Sequence, residues 1–138
     1  MSLTSENYKF VNYCLNKRKL NTIKTLHGTY GCVFICEDDT KEKKAFKYFK
    51  YDILNGSTIV ELCAMKYFEA YPFYPHIEEI FYELDEVGIL INYCGVTLTN
   101  ANVYDENKLL VTLNLFLSAL SNFISLIYPL IILLFSSN

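Results

Sequence analysis

Tyr8, Val11, Cys14 and Leu15 recur at helical spacing behind Thr4-Ser5-Glu6, and predict a short helix over about 5–17. The period then shortens. Thr22 to Leu26 reads as a strand, Gly28-Thr29-Tyr30-Gly31 as a turn, and Cys32 to Cys36 as a second strand. Glu37-Asp38-Asp39-Thr40 closes a hairpin into a third strand, Lys44 to Tyr51. Asn55-Gly56 breaks the chain and Ser57 can cap a helix. Val60, Ala64, Tyr67, Phe68 and Tyr71 give that helix its apolar positions, over Thr58 to Ala70, and Pro72 and Pro75 stop it. Ile77 to Leu84 and Val87 to Tyr93 read as a strand pair around Asp85-Glu86. After Gly95 comes a looser stretch, and Asp105 opens a long apolar helix running at least to Leu126.

The charge distribution divides the chain. All 12 basic and 15 acidic residues fall within 1–108, and 109–138 carries none. A net charge of −3, without a basic cluster denser than Lys17-Arg18-Lys19 or Lys41 to Lys44, argues against a nucleic-acid partner. The 138 residues suit one domain of ordinary size, and 52% hydrophobic content excludes a disordered chain. Five cysteines without a CxxC pair, behind an N-terminus lacking a signal-type apolar core, indicate free thiols in a reducing, cytoplasmic compartment. Two histidines and no Cys/His cluster make a structural zinc site an unsuitable reading.

The chemistry lies in "TLHGTYGCVFICEDDTKEKKAFKYFK", Thr25 to Lys50. Glycines in a hairpin turn let backbone N–H groups approach phosphates closely. A valine after the turn can cover an adenine ring, and a lysine on the next strand adds a point charge. Gly28, Gly31, Val33, Ala45 and Lys47 occupy such positions. The same pattern also serves an ordinary β-meander. A phosphate-binding lysine needs an orienting carboxylate, and the following helix offers Glu61 in "STIVELCAMKYF".

With Glu61 in place, the ordered set resembles the eukaryotic-type protein kinases over roughly residues 20–126. "HGTYGCV" is similar to their glycine-rich loop, "AFK" to the Ala-x-Lys of the third strand, and "VELCAMKYF" to the C helix. "YPHI" resembles the entry to the fourth strand, and "GILINYCG" the fifth strand and hinge. The resemblance implies an α+β fold: a kinase-like N-lobe with a five-stranded antiparallel sheet and a C helix, followed by a long apolar C-terminal helix. It divides the chain into an N-terminal helical extension (1–19), the lobe (20–98), and the start of a second lobe with a hydrophobic tail (99–138).

The same resemblance implies ATP as ligand, with magnesium arriving only with the nucleotide. Gly28 and Gly31 would shape the phosphate loop, with Tyr30 at its tip, and Val33 and Ala45 would sandwich adenine. Lys47 would contact the phosphates and pair with Glu61. Ile91 would be the gatekeeper, and the hinge backbone from Asn92 through Tyr93 to Cys94 would hydrogen-bond adenine. Three positions depart from the pattern: Leu26 replaces the first glycine, Lys47 and Glu61 are only fourteen residues apart, and Asn92 stands where an acidic residue is common.

Neither His-Arg-Asp nor Asp-Phe-Gly occurs. The expectation is therefore an ATP-binding member of the family that transfers no phosphate by itself, with no catalytic residue and no metal ligand assigned. "IYPLIILLFSSN" stands where the catalytic loop would follow, as though the reading frame had changed. The Tyr, Phe, Ile and Asn content suggests an AT-rich coding sequence, and the divergent pattern resembles that of large DNA viruses of insects. Two alternatives belong to other classes. One is a non-enzymatic decoy that pairs with a partner protein kinase. The other is a protein tail-anchored in a membrane through 109–135, which exceeds the roughly 20 residues a bilayer requires. The tail also reads as a core helix without its lobe, or as a partner-binding helix.

Overall fold

The structure, a computed structural model, describes residues 2–51, 55–71, 74–83, 85–95 and 106–136. The expected helix stop at Pro72, strand end at Leu84 and helix start at Asp105 lie outside them. The chain divides into two compact units: Met1–Glu69 with Pro75–Cys94, and Ala70–Tyr74 with Gly95–Asn138.

The first unit begins with α1 (Ser5–Lys17), started by a reciprocal cap: the Asn7 N–H donates to Thr4 Oγ1, and the Thr4 N–H donates to Asn7 Oδ1. Three strands follow: β1 (Asn21–His27), β2 (Gly31–Glu37) and β3 (Lys43–Phe49). Next come α2 (Gly56–Phe68), β4 (Ile77–Glu83) and β5 (Glu86–Asn92). All neighbouring strands are antiparallel, and the sheet runs β1-β2-β3-β5-β4. Alternation along a strand sends successive side chains to opposite faces. Cys32, Phe34 and Cys36 of β2, Phe46 and Tyr48 of β3, and Leu90 of β5 therefore share one face.

That face is the main core, and α1 covers it with Phe10, Val11, Cys14 and Leu15. Rings interlock across the junction: Tyr8 meets Phe34 edge-on at 6.4 Å, and Phe10 meets Tyr48 at 6.2 Å. At the margin Asn7 Nδ2 donates to Glu86 Oε1 at 2.8 Å, and the buried Tyr48 hydroxyl donates to the other oxygen of that carboxylate. Lys17 and Arg18 both engage Glu79 of β4. Glu79 is pushed up by partial burial, but these two cations outweigh that and hold it below its ordinary value. α1 is thus one layer of the unit.

α2 follows the expected apolar stripe in part: Phe68 is buried and Ala64 and Tyr67 are half-buried. Thr58, Met65 and Phe68 are buried, whereas Val60 is 62% exposed. The run Ile59-Val60 is apolar beside the true inner face, so spacing alone does not select among faces. Its N-cap is Asn55, whose Oδ1 accepts from the Ser57 N–H and hydroxyl; Ser57, the expected cap, is a donor to it.

The second unit holds α3 (Glu106–Ser136). Here the expectation of a long apolar C-terminal helix is corrected. α3 extends over 31 residues, yet among the described residues no helix is long and apolar enough to cross a membrane. Asn114, Ser118, Ser121, Asn122 and Ser125 recur through it, and Pro129 lies inside it. The Ser125 hydroxyl donates to the Ser121 carbonyl at 2.9 Å, so that polar group is satisfied within its own helix. The membrane anchor over 109–135 is not supported.

Candidate functional site

The face of the sheet opposite α1 assembles most of the proposed nucleotide residues. In register, Leu26 pairs with Val33, Val33 with Lys47, and Lys47 with Ile89. The adjacent same-face row runs from Ile35 through Ala45 to Ile91. Val33, Ala45, Lys47 and Ile91 therefore share one face because antiparallel partners and alternate residues must.

The turn between β1 and β2 is closed by the Gly28 N–H donating to the Gly31 carbonyl at 2.9 Å, and the Lys50 N–H holds the Tyr30 carbonyl at 2.9 Å. Beneath it lies a cavity of about 260 Å³ that Gly28, Tyr30, Gly31, Val33 and Lys47 line together with Leu26. Gly31 is demanded by packing as well as by any ligand: a Cβ there would stand 2.1 Å from the Tyr48 carbonyl oxygen.

Lys47 leaves β3 toward α2 and forms an ion pair with Glu61, both side chains being partly buried. Its ammonium also lies 5.0 Å from the centre of the Phe49 ring. Phe49 escaped the sequence reading, although its place two residues after Lys47 puts it on the same face. Glu61 faces Lys47 because it lies between Thr58 and Met65 on the buried stripe of α2. Thr58 anchors the start of that stripe, its hydroxyl donating to the Tyr51 carbonyl at 3.1 Å. A second cavity, of about 270 Å³, opens beside Glu61, Phe49 and Tyr30. Tyr30, 65% exposed, is a wall of both.

The hinge residues fall outside the loop cavity. Tyr93 carries Lys43 over its ring at 5.6 Å. Cys94 is exposed, and its thiol lies 3.7 Å from the Asn92 carbonyl. The Asn92 side chain accepts the His76 N–H at 2.5 Å, so it links the end of β5 to the entry of β4. Among the described residues no group of three or more His, Cys, Asp and Glu is placed to hold a metal ion.

A further cavity, of about 400 Å³, lies between α1 and the β4–β5 turn, with Glu6, Lys9, Tyr13, Glu83 and Glu86 on its walls. Lys9 there pairs with Glu6, and Glu86 is taken by Asn7 and Tyr48, so its polar groups largely satisfy one another.

No protein-family model matches the chain, and a search of curated proteins returned no match.

Proposed function

We propose that this chain binds ATP in the manner of the protein kinases, with the phosphates beneath the Gly28–Gly31 turn. The observation that carries the reading is the Lys47–Glu61 ion pair between β3 and α2, at the edge of a glycine-walled cavity. A lysine paired this way has an oriented ammonium with donors to spare, which suits an anionic oxygen. The cavity of about 260 Å³ is smaller than the roughly 300–1,000 Å³ of a drug-sized ligand site, so it suits the phosphates rather than a whole nucleotide. Adenine would extend along the Val33–Ala45–Ile91 face. Magnesium would be carried by the phosphates and neutralise their charge.

The reading is one of binding. His-Arg-Asp and Asp-Phe-Gly are absent from the sequence, so no residue here is assigned to phosphoryl transfer.

A calorimetric or thermal-shift titration with ATP, with and without magnesium, tests it. Saturating ATP is expected to raise Tm in proportion to ln(1 + [L]/Kd). Lys47→Ala is expected to weaken binding about tenfold or more, the worth of a charge-assisted contact of about 1.5–3 kcal/mol. Absence of a shift at millimolar ATP, or an undiminished shift in Lys47→Ala, overturns the proposal.

A further inference from the structure

α2 carries Glu61, so whatever fixes α2 decides whether Lys47 keeps its partner. Among the described residues, two side-chain contacts to a carboxylate join α2 and its C-cap to other elements. One is Lys47–Glu61, in the second turn. The other lies at the far end, where His76 Nδ1 is 2.6 Å from Glu69 Oε1. Glu69 is the C-cap of α2, its N–H donating to the Met65 carbonyl at 3.0 Å. Its other carboxylate oxygen takes Lys66 at 2.5 Å. The Lys66 hydrogen bond, with a lesser contribution from His76, holds this carboxyl below its ordinary value, so it is an anion at neutral pH.

His76 is itself anchored. Its N–H donates to Asn92 Oδ1 at 2.5 Å, and its carbonyl accepts the Asn92 N–H at 3.2 Å. Asn92 ends β5 and pairs in register with Lys44 of β3. The Glu61 and Glu69 contacts lie eight residues apart, about 12 Å at 1.5 Å per residue. Thr58 and the buried Met65 and Phe68 hold the start and body of α2, and the Glu69–His76 contact adds a tie at its C-terminal end.

We propose that His76 is a positioning residue: its ring latches the C-cap of α2 to the β4–β5 side of the sheet and thereby holds Glu61 against Lys47. The latch is a property of the unliganded chain; only its effect on ATP rests on the nucleotide-binding reading.

Hydrogen exchange on the full chain tests the latch directly. His76→Ala is expected to speed exchange of the 56–68 amides about two- to five-fold, the range for a single partly exposed polar contact, and to leave β1 and β2 unchanged. His76→Gln, which keeps a donor, is expected to restore part of the protection. In ATP titrations, His76→Ala is expected to weaken binding by a similar factor in the native background and to add nothing in a Glu61→Gln background. Unchanged α2 exchange, uniform acceleration across all elements, or an undiminished ATP penalty in Glu61→Gln overturns the latch. If the native chain binds no ATP, the nucleotide reading fails, and the exchange measurement still decides the latch.

Discussion

Gly31 and Gly88 have no room for a side chain. A Cβ on Gly88 would stand 2.3 Å from the Phe46 ring, and one on Gly31 would strike the Tyr48 carbonyl oxygen. Gly56, by contrast, meets nothing within 4 Å. Gly31→Ala and Gly88→Ala are each expected to cost about 1–3 kcal/mol in urea denaturation, as overpacked sites do. Gly56→Ala is expected to be neutral or to stabilise by up to about 1 kcal/mol, because alanine restricts the unfolded chain. The thiols make a second prediction. Cys14, Cys32 and Cys36 are buried, while Cys63 and Cys94 are exposed, so a thiol reagent is expected to label the last two rapidly. Burial, reinforced by the nearby Glu83 carboxylate, pushes the Cys14 thiol up to about 12. An unfolded thiol ionises at about 8.5. The unfolded chain thus loses its proton first: the stabilisation is complete below that pH and is lost as pH rises towards the folded value. Urea midpoints are expected to fall with rising pH above about 8.5, and less steeply in Cys14→Ala.

At the scale of elements, α1 stands out. Leu15 is 4% exposed within the core cluster, and Leu15→Ala is expected to cost about 2–5 kcal/mol by equilibrium denaturation. A truncation removing residues 2–17 is expected to lose the cooperative transition, because it strips the cover from Phe34, Phe46 and Tyr48. The end of α1 carries a strained backbone: after the Arg18 C-cap, Lys19 adopts φ 53°, the left-handed region that usually takes glycine. Lys19→Gly is expected to raise stability by about 1 kcal/mol, the lower part of the range for that conformation.

At the scale of the molecule, the two units differ in how they treat apolar surface. The first buries its aromatic rings between α1 and the sheet. α3 leaves Leu117, Leu126 and Leu133 each more than half exposed. Exposed apolar patches favour association. Replacing these three leucines with glutamate is expected to lower dye binding of the 8-anilinonaphthalene-sulfonate type and to reduce light scattering on heating.

The elements of the first unit were legible in the sequence because alternation and helical spacing are local signals: the helix over about 5–17 and the strands fall within one or two residues of α1 and β1 to β5. The glycine turn, Lys47 and Glu61 were legible as a candidate set because spacing along the chain announced a turn, a strand and a helix. Their meeting was not, since Lys47 and Glu61 belong to separate elements whose packing depends on distant residues. The inner stripe of α2 shows why: Val60 has the right composition and faces solvent, while Glu61 is turned inward beside Met65. α1 teaches the same lesson, because helical spacing predicts a helix but does not name the surface it covers. Local sequence settles periodicity and turn chemistry, which act over a few residues. Which apolar face is buried, what α1 covers and which carboxylate meets Lys47 depend on competition among many contacts, and only the packed tertiary structure resolves it.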